Sequence, residues 1–109
     1  MKQKQKKITM AISNVQNEGS WIRVYDEKSK KISEMSSSNK QVVGIGSDFF
    51  VTEEGSWIRV YDEKCKKISE MSSSNKVVRA AAGQTFTTKE GSWLRTYDKK
   101  CKKISEKSA

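Results

Sequence analysis

The sequence predicts an all-β chain of three tandem units, each about 36 residues long and folded as a four-stranded antiparallel meander. Three observations carry this. An octapeptide of the form Gly-Ser-Trp-(Ile/Leu)-Arg-(Val/Thr)-Tyr-Asp occurs at 19–26, 55–62 and 91–98, at constant spacing (55 − 19 = 36 and 91 − 55 = 36). Within it, residue types alternate as they do along a half-buried strand. Between the candidate strands stand clusters of Gly, Ser, Asn and Asp, the residues of turns.

Taken in order, residues 1–7 read as a basic arm, Met1-Lys2-Gln3-Lys4-Gln5-Lys6-Lys7. A single repeat domain follows over 8–109, divided as repeat 1 (8–41), repeat 2 (42–76) and repeat 3 (77–109). Residues 8–18 keep little of the pattern of 42–54 beyond Val15 and Glu18. In the middle unit strands are expected at 42–47, 49–53, 56–62 and 67–72, with turns at Ser47-Asp48 and Glu54-Gly55. Gly44 and Gly46 inside a strand suggest a bulge or the close approach of another backbone. Repeat 3 follows the same plan through Val77–Ala82 and Thr85–Thr88. There Ala82 and Gly83 stand for Gly46 and Ser47, which shifts the turn.

In the octapeptide, Ile58 and Val60 suit one face of a pleated sheet. Trp57, Arg59 and Tyr61 share the other face, as do Trp21, Arg23, Tyr25 and Trp93, Arg95, Tyr97. Two readings of this row stay open. The favoured one packs Trp and Tyr against the neighbouring repeat with Arg across them, so that the three Trp supply much of the buried area. The other is an exposed ladder for a polyanion, a base or a sugar. After the tyrosine, Asp62-Glu63-Lys64-Cys65-Lys66-Lys67-Ile68 reads as a hairpin turn whose Asp bonds to backbone amides. A left-handed residue there is often Gly, whereas this chain has Ser29, Cys65 and Cys101, which leaves the turn class open. A short helix over 63–71, capped by Asp62, is the alternative.

Composition sets limits. With 34% hydrophobic and 32% charged residues, the core must be lean and gains from repetition or oligomer formation. No apolar run approaches ~18 residues, so no membrane helix is expected. Ile8–Ile12 is too short for the core of a signal peptide, and a cytoplasmic location follows as the expectation. Cys65 and Cys101 are one repeat apart and read as free thiols, which adjacent lysines could activate. The chain has no His, so a zinc site is not supported, and no cofactor is implied.

The net charge is +9, and lysines recur at the same hairpin: Lys28, Lys30 and Lys31; Lys64, Lys66 and Lys67; Lys99, Lys100, Lys102 and Lys103. Such a row attracts polyanions. It equally serves solubility and protects exposed strand edges, and both readings stay open. Met35 and Met71 occupy equivalent places where the last copy has Lys107. With the irregular start, this gives both ends the look of caps.

A Gly-Ser-Trp-Ile-Arg-Val strand followed by Tyr-Asp-Glu-Lys-x-Lys-Lys-Ile, at a four-strand period, resembles a β-propeller blade. The resemblance covers all three units. Three blades cannot close a ring, so it implies a dimer completing six. The rival resemblance is to a three-fold closed β fold, a β-trefoil or a bulb-lectin-type β-prism. The mannose-binding pattern of bulb lectins does not carry over, because Arg59, Trp57, Gly55 and Glu53 hold its places.

No Ser sits in a nucleophile elbow, and Gly44-x-Gly46 is too short for a phosphate loop. The expectation is therefore a non-enzymatic interaction module or scaffold, self-associating as a dimer or binding another protein, with no membrane contact. A nucleic-acid or other polyanion binder is the alternative, using Arg23, Arg59, Arg95 and the lysines Lys30, Lys31, Lys66, Lys67, Lys102 and Lys103. A further alternative is a glycan binder using Trp21, Trp57 and Trp93.

Overall fold

The computed structural model describes residues 11–109; the basic arm lies outside them. Eleven strands follow one another: β1 (Asn14–Glu18), β2 (Trp21–Tyr25), β3 (Lys31–Ser36), β4 (Gln41–Ile45), β5 (Phe49–Glu54), β6 (Trp57–Asp62), β7 (Lys67–Ser72), β8 (Val77–Ala82), β9 (Thr85–Glu90), β10 (Trp93–Asp98) and β11 (Lys103–Ser108). They form three antiparallel meanders, β1-β2-β3, β4-β5-β6-β7 and β8-β9-β10-β11. The positions of unit 1 that match β4 and β8 fall at 5–10, outside the described residues.

The alternative of a three-fold closed fold is overturned. Among the described residues no barrel closes, since every strand pairs only within its own unit, and the core falls into two separate clusters, one joining units 1 and 2 and the other units 2 and 3, instead of one core shared by all three sheets. The helix alternative over 63–71 fails as well, because 67–72 is the strand β7. The physical reason lies in the turn. Cys65 has φ 62°, and Ser29 and Cys101 have φ 65° and 62°, so the chain reverses at a left-handed residue instead of continuing as a helix. The Asp62 carboxylate accepts the amides of Lys64 and Lys66 at 2.8 and 2.9 Å. A bulge between Val60 and Tyr61 follows from the extra residue. Units 1 and 3 repeat this turn with Asp26 and Asp98.

The sheets stack face to face, front of one unit on the back of the next. The front of unit 1 (Val15, Ile22, Val24, with Ile32 and Met35) packs on Phe50, Tyr61, Val42 and Cys65 of unit 2. The front of unit 2 (Phe49, Val51, Ile58, Val60, with Ile68 and Met71) packs on Val78, Ala81, Phe86, Tyr97 and Cys101 of unit 3. Two side-chain clamps repeat across these junctions. Ser33 Oγ donates to the Glu63 carbonyl at 2.7 Å, and Ser69 Oγ to the Lys99 carbonyl at 2.6 Å.

Successive sheets approach most closely at their first strands, β4 against β8 and β1 against β4. Gly44 eases that approach: a Cβ at this position would lie 3.0 Å from the Ala81 Cβ and 3.6 Å from the Ala81 backbone nitrogen, tighter than an ordinary contact. A bulge between Val42 and Gly44 coincides with it, so both expectations for that glycine hold. At the strand ends the Ser47 amide donates to the Gly83 carbonyl at 2.9 Å. The result is a flat fan, 53 × 36 × 19 Å. Its radius of gyration, 14.8 Å, exceeds the ~13 Å of a compact chain of about this length.

Candidate functional site: a tryptophan rim and a lysine rim

Antiparallel pairing sorts the connections onto two opposite rims. The turns after β1, β5 and β9 and the Ser-rich loops 37–40 and 73–76 lie on one rim. The turns after β2, β4, β6, β8 and β10 lie on the other. Each octapeptide strand runs from the first rim, where its Trp sits, to the second, where its lysine hairpin begins. About 20 Å of strand separates them. The aromatic-arginine row and the lysine clusters are therefore not one surface. The structure brings Trp21, Trp57 and Trp93 to one rim, and Lys30, Lys66 and Lys102 to the other.

The row itself is graded. Tyr61 and Tyr97 are buried and stack on Phe50 and Phe86, with ring centroids 5.5 Å apart in each pair. The tryptophans are exposed, at 42%, 42% and 43% for Trp21, Trp57 and Trp93. The expectation that Trp packs between repeats and supplies the core is thus corrected. The neighbour's apolar patch lies opposite Phe50 and Tyr61, not opposite the rim. Phe49, Phe50 and Phe86, all fully buried, do the filling instead.

Between Tyr and Trp the arginine is held by two carboxylates. In unit 2, Arg59 Nη1 meets Glu54 Oε1 at 2.6 Å and Arg59 Nε meets Glu70 Oε1 at 2.8 Å. Glu54 Oε2 accepts from Tyr61 OH at 2.6 Å and from Thr52 Oγ1 at 2.7 Å. Arg59 Cζ lies 5.9 Å from the Trp57 ring centroid, within cation–π range. Unit 3 repeats the network through Glu90, Glu106, Tyr97 and Thr88. Unit 1 repeats it through Glu18, Glu34 and Tyr25. The arginines are thus neutralised locally, which leaves them little net charge to offer a polyanion.

Burial pushes the Glu54 carboxyl up, but the hydrogen bonds from Tyr61, Thr52 and Arg59 together outweigh it and hold it below the usual carboxylate range. Glu90 behaves in the same way. Burial first, then the hydrogen bond to Glu90, push the Tyr97 phenol up to about 12. Sequence reasoning placed none of these carboxylates beside the arginine, although Glu18, Glu54 and Glu90 recur at the same 36-residue spacing as the tryptophans.

On the lysine rim, Lys31, Lys67 and Lys103 pair at 3.0 Å with Glu34, Glu70 and Glu106. Lys30, Lys66 and Lys102 are exposed and make no side-chain ion pair among the described residues. The two cysteines are free and half-buried at the junctions. Burial pushes both thiols up, which speaks against activation by the adjacent lysines. Their Sγ atoms lie 3.2 Å from Ser33 and Ser69 Oγ. Among the described residues no helix is long and apolar enough to cross a membrane.

Compared with known proteins, the chain matches no family model, no curated protein and no solved structure.

Proposed function

We propose that this chain is a non-enzymatic interaction module, an array of propeller-like blades that meets its partner through the tryptophan rim. The observation that carries this is the repeated exposure of one large aromatic per unit, each beside the same arginine network. Large exposed aromatics held on rigid strands supply contact area at little entropic cost, and Trp and Arg are the residues that dominate binding energy. The face-to-face stack with converging first strands supports the blade reading.

A second copy closing a six-blade ring would place the outer face of unit 3 on the back of unit 1. That outer face carries Thr85, Thr87, Thr96 and Lys107 where unit 2 has Phe49, Val51, Val60 and Met71. The back of unit 1 carries Asn14 where units 2 and 3 have Phe50 and Phe86. A junction of this kind is polar, so self-association is weak and the rim contact comes first.

The second reading is a polyanion binder, favoured by Lys30, Lys66 and Lys102 on the opposite rim, exposed and without an ion pair among the described residues. One experiment separates the two. A probe set of neutral oligosaccharides, single-stranded RNA and a second copy of the chain is titrated against wild type, a Trp21/Trp57/Trp93→Ala variant and a Lys30/Lys66/Lys102→Gln variant. The fold of each is checked by circular dichroism. Loss of binding of about tenfold or more in the tryptophan variant alone supports the rim reading. Loss in the lysine variant alone, with binding that falls steeply as salt rises, overturns it in favour of the polyanion.

A further inference from the structure

A cleft opens on the tryptophan rim at each of the two junctions between units, and charge tells the two apart. The cleft between units 2 and 3 is lined by Ser74, Asn75, Lys76, Glu90, Gly91 and Arg95 and measures about 530 Å³. The cleft between units 1 and 2 has the same residues 36 positions earlier and measures about 410 Å³. Both volumes lie in the range of small-ligand sites. No indole lines either one.

In the larger cleft the open groups are donors. The Ser74 hydroxyl, the Asn75 side-chain amide, the Lys76 ammonium and Arg95 Nη2 make no hydrogen bond among the described residues. Glu90 is the one carboxylate of the lining, and it is already engaged, since Arg95, Tyr97 and Thr88 donate to it at 2.6, 2.6 and 2.7 Å. Arg95 is shared between Glu90 and Glu106, at 2.6 and 2.9 Å, so its charge is offset while Nη2 stays open to a further acceptor. The excess positive charge comes from two lysines. Lys76 is half-buried in the lining and forms no ion pair among the described residues. Lys89 Nζ lies 3.2 Å from the carbonyl oxygen of Gly91, at the edge of the same cleft. Four cations, Lys76, Lys89, Arg95 and Lys103, thus stand with two carboxylates, Glu90 and Glu106.

One position changes this balance at the other junction. Glu53 stands where unit 3 has Lys89, paired with Ile58 as Lys89 is with Leu94. It lines a hollow that shares Asn39, Lys40 and Gly55 with the smaller cleft. There three cations, Lys40, Arg59 and Lys67, stand with three carboxylates, Glu53, Glu54 and Glu70. The donors are the same and the net charge is gone.

A phosphate monoester carries about two negative charges and three strong acceptor oxygens, which matches the excess charge and the open donors of the larger cleft. Lysine meets it as a point charge and arginine by a charge-assisted hydrogen bond. We infer that the cleft between units 2 and 3 binds a phosphate group, held by Ser74, Asn75, Lys76 and Arg95 with Lys89 at its edge. The cleft between units 1 and 2 is a copy that Glu53 disables. This site goes beyond the reading of the tryptophan rim and needs none of its indoles.

The test titrates inorganic phosphate, adenosine monophosphate and a short phosphoserine peptide into the full chain by calorimetry, with the unphosphorylated peptide alongside. The expected result is that a phosphate probe binds once per chain and the unphosphorylated peptide does not bind. The tightest probe then tells a free phosphate from a nucleotide or a modified protein segment. Affinity falls about tenfold or more in Lys76→Gln and in Lys89→Glu, and Glu53→Lys adds a second site. Circular dichroism checks the fold of each variant. No binding by any phosphate probe, or affinity unchanged in either Lys76→Gln or Lys89→Glu, overturns the assignment. Loss in the Lys30/Lys66/Lys102→Gln variant alone overturns it too, by moving the anion to the opposite rim. A Glu53→Lys chain that still binds only once overturns the role given to Lys89.

Discussion

Tyr61 shows how one side chain ties burial to charge. Its ring fills the junction against Phe50, and its hydroxyl reaches back to Glu54 at 2.6 Å. Replacing Tyr61 with Phe keeps the ring and removes the bond, and should cost about 1.5–3 kcal/mol, the range for hydrogen bonds to charged groups. Equilibrium denaturation measures it. The same network sets the pH response. Glu54 and Glu90 have pKa values lowered in the fold, so their contribution is present at neutral pH and is lost as pH falls through the folded values. Tyr97, raised to about 12, contributes below the ordinary tyrosine value and loses that contribution as pH rises from ~10 towards 12. Stability measured against pH should therefore fall on both the acid and the alkaline side. A different residue effect is expected at Ser29, which is exposed with φ 65°. Ser29→Gly relieves the left-handed cost and should stabilise by up to about 1 kcal/mol, net of the entropy that glycine adds to the unfolded chain.

At the scale of the element, the strands were legible because period-two alternation and turn residues agree. The octapeptide, the hairpin and the Ser-rich loops all fall where sequence reasoning puts them. The shifted turn of unit 3 also appears, with Gly83 and Gln84 between β8 and β9. What the pattern could not show was which part of a strand face meets the neighbour. Trp57 and Tyr61 share a face and look equivalent in sequence, yet only Tyr61 lies opposite apolar side chains. Likewise the carboxylates around Arg59 come from β5 and β7, and only the register, Thr52↔Arg59 and Arg59↔Glu70, brings them together. Phe86 is the test of stacking at this scale. It is fully buried against the front of unit 2, and Phe86→Ala should cost about 3–5 kcal/mol. A loss well below that would mean that the junction is looser than described.

For the whole molecule, stability is a sum of units and junctions, since each sheet covers only its neighbour. The outward face of unit 3 is the informative one. Leu94 is half-buried and Ile104 is 56% exposed among threonines and Lys107. Restoring the unit 2 residues by Thr87→Val, Thr96→Val and Lys107→Met should turn this polar face into one that seeks a second sheet. Analytical ultracentrifugation should then show the wild type as mostly monomer at micromolar concentration and the variant as dimer or larger. A wild type that is already a tight dimer would put ring closure ahead of the rim contact.

The account turns on the tryptophans standing in solvent on one rim while Tyr61 and Tyr97, on the same strands as Trp57 and Trp93, are buried. Acrylamide quenching of tryptophan fluorescence, on the folded protein at low concentration, tests that most directly. We predict that quenching approaches that of the denatured chain, with similar constants in variants that retain only Trp21, Trp57 or Trp93. Tryptophans shielded in the folded state, with blue-shifted emission, would contradict it and place the indoles between the sheets.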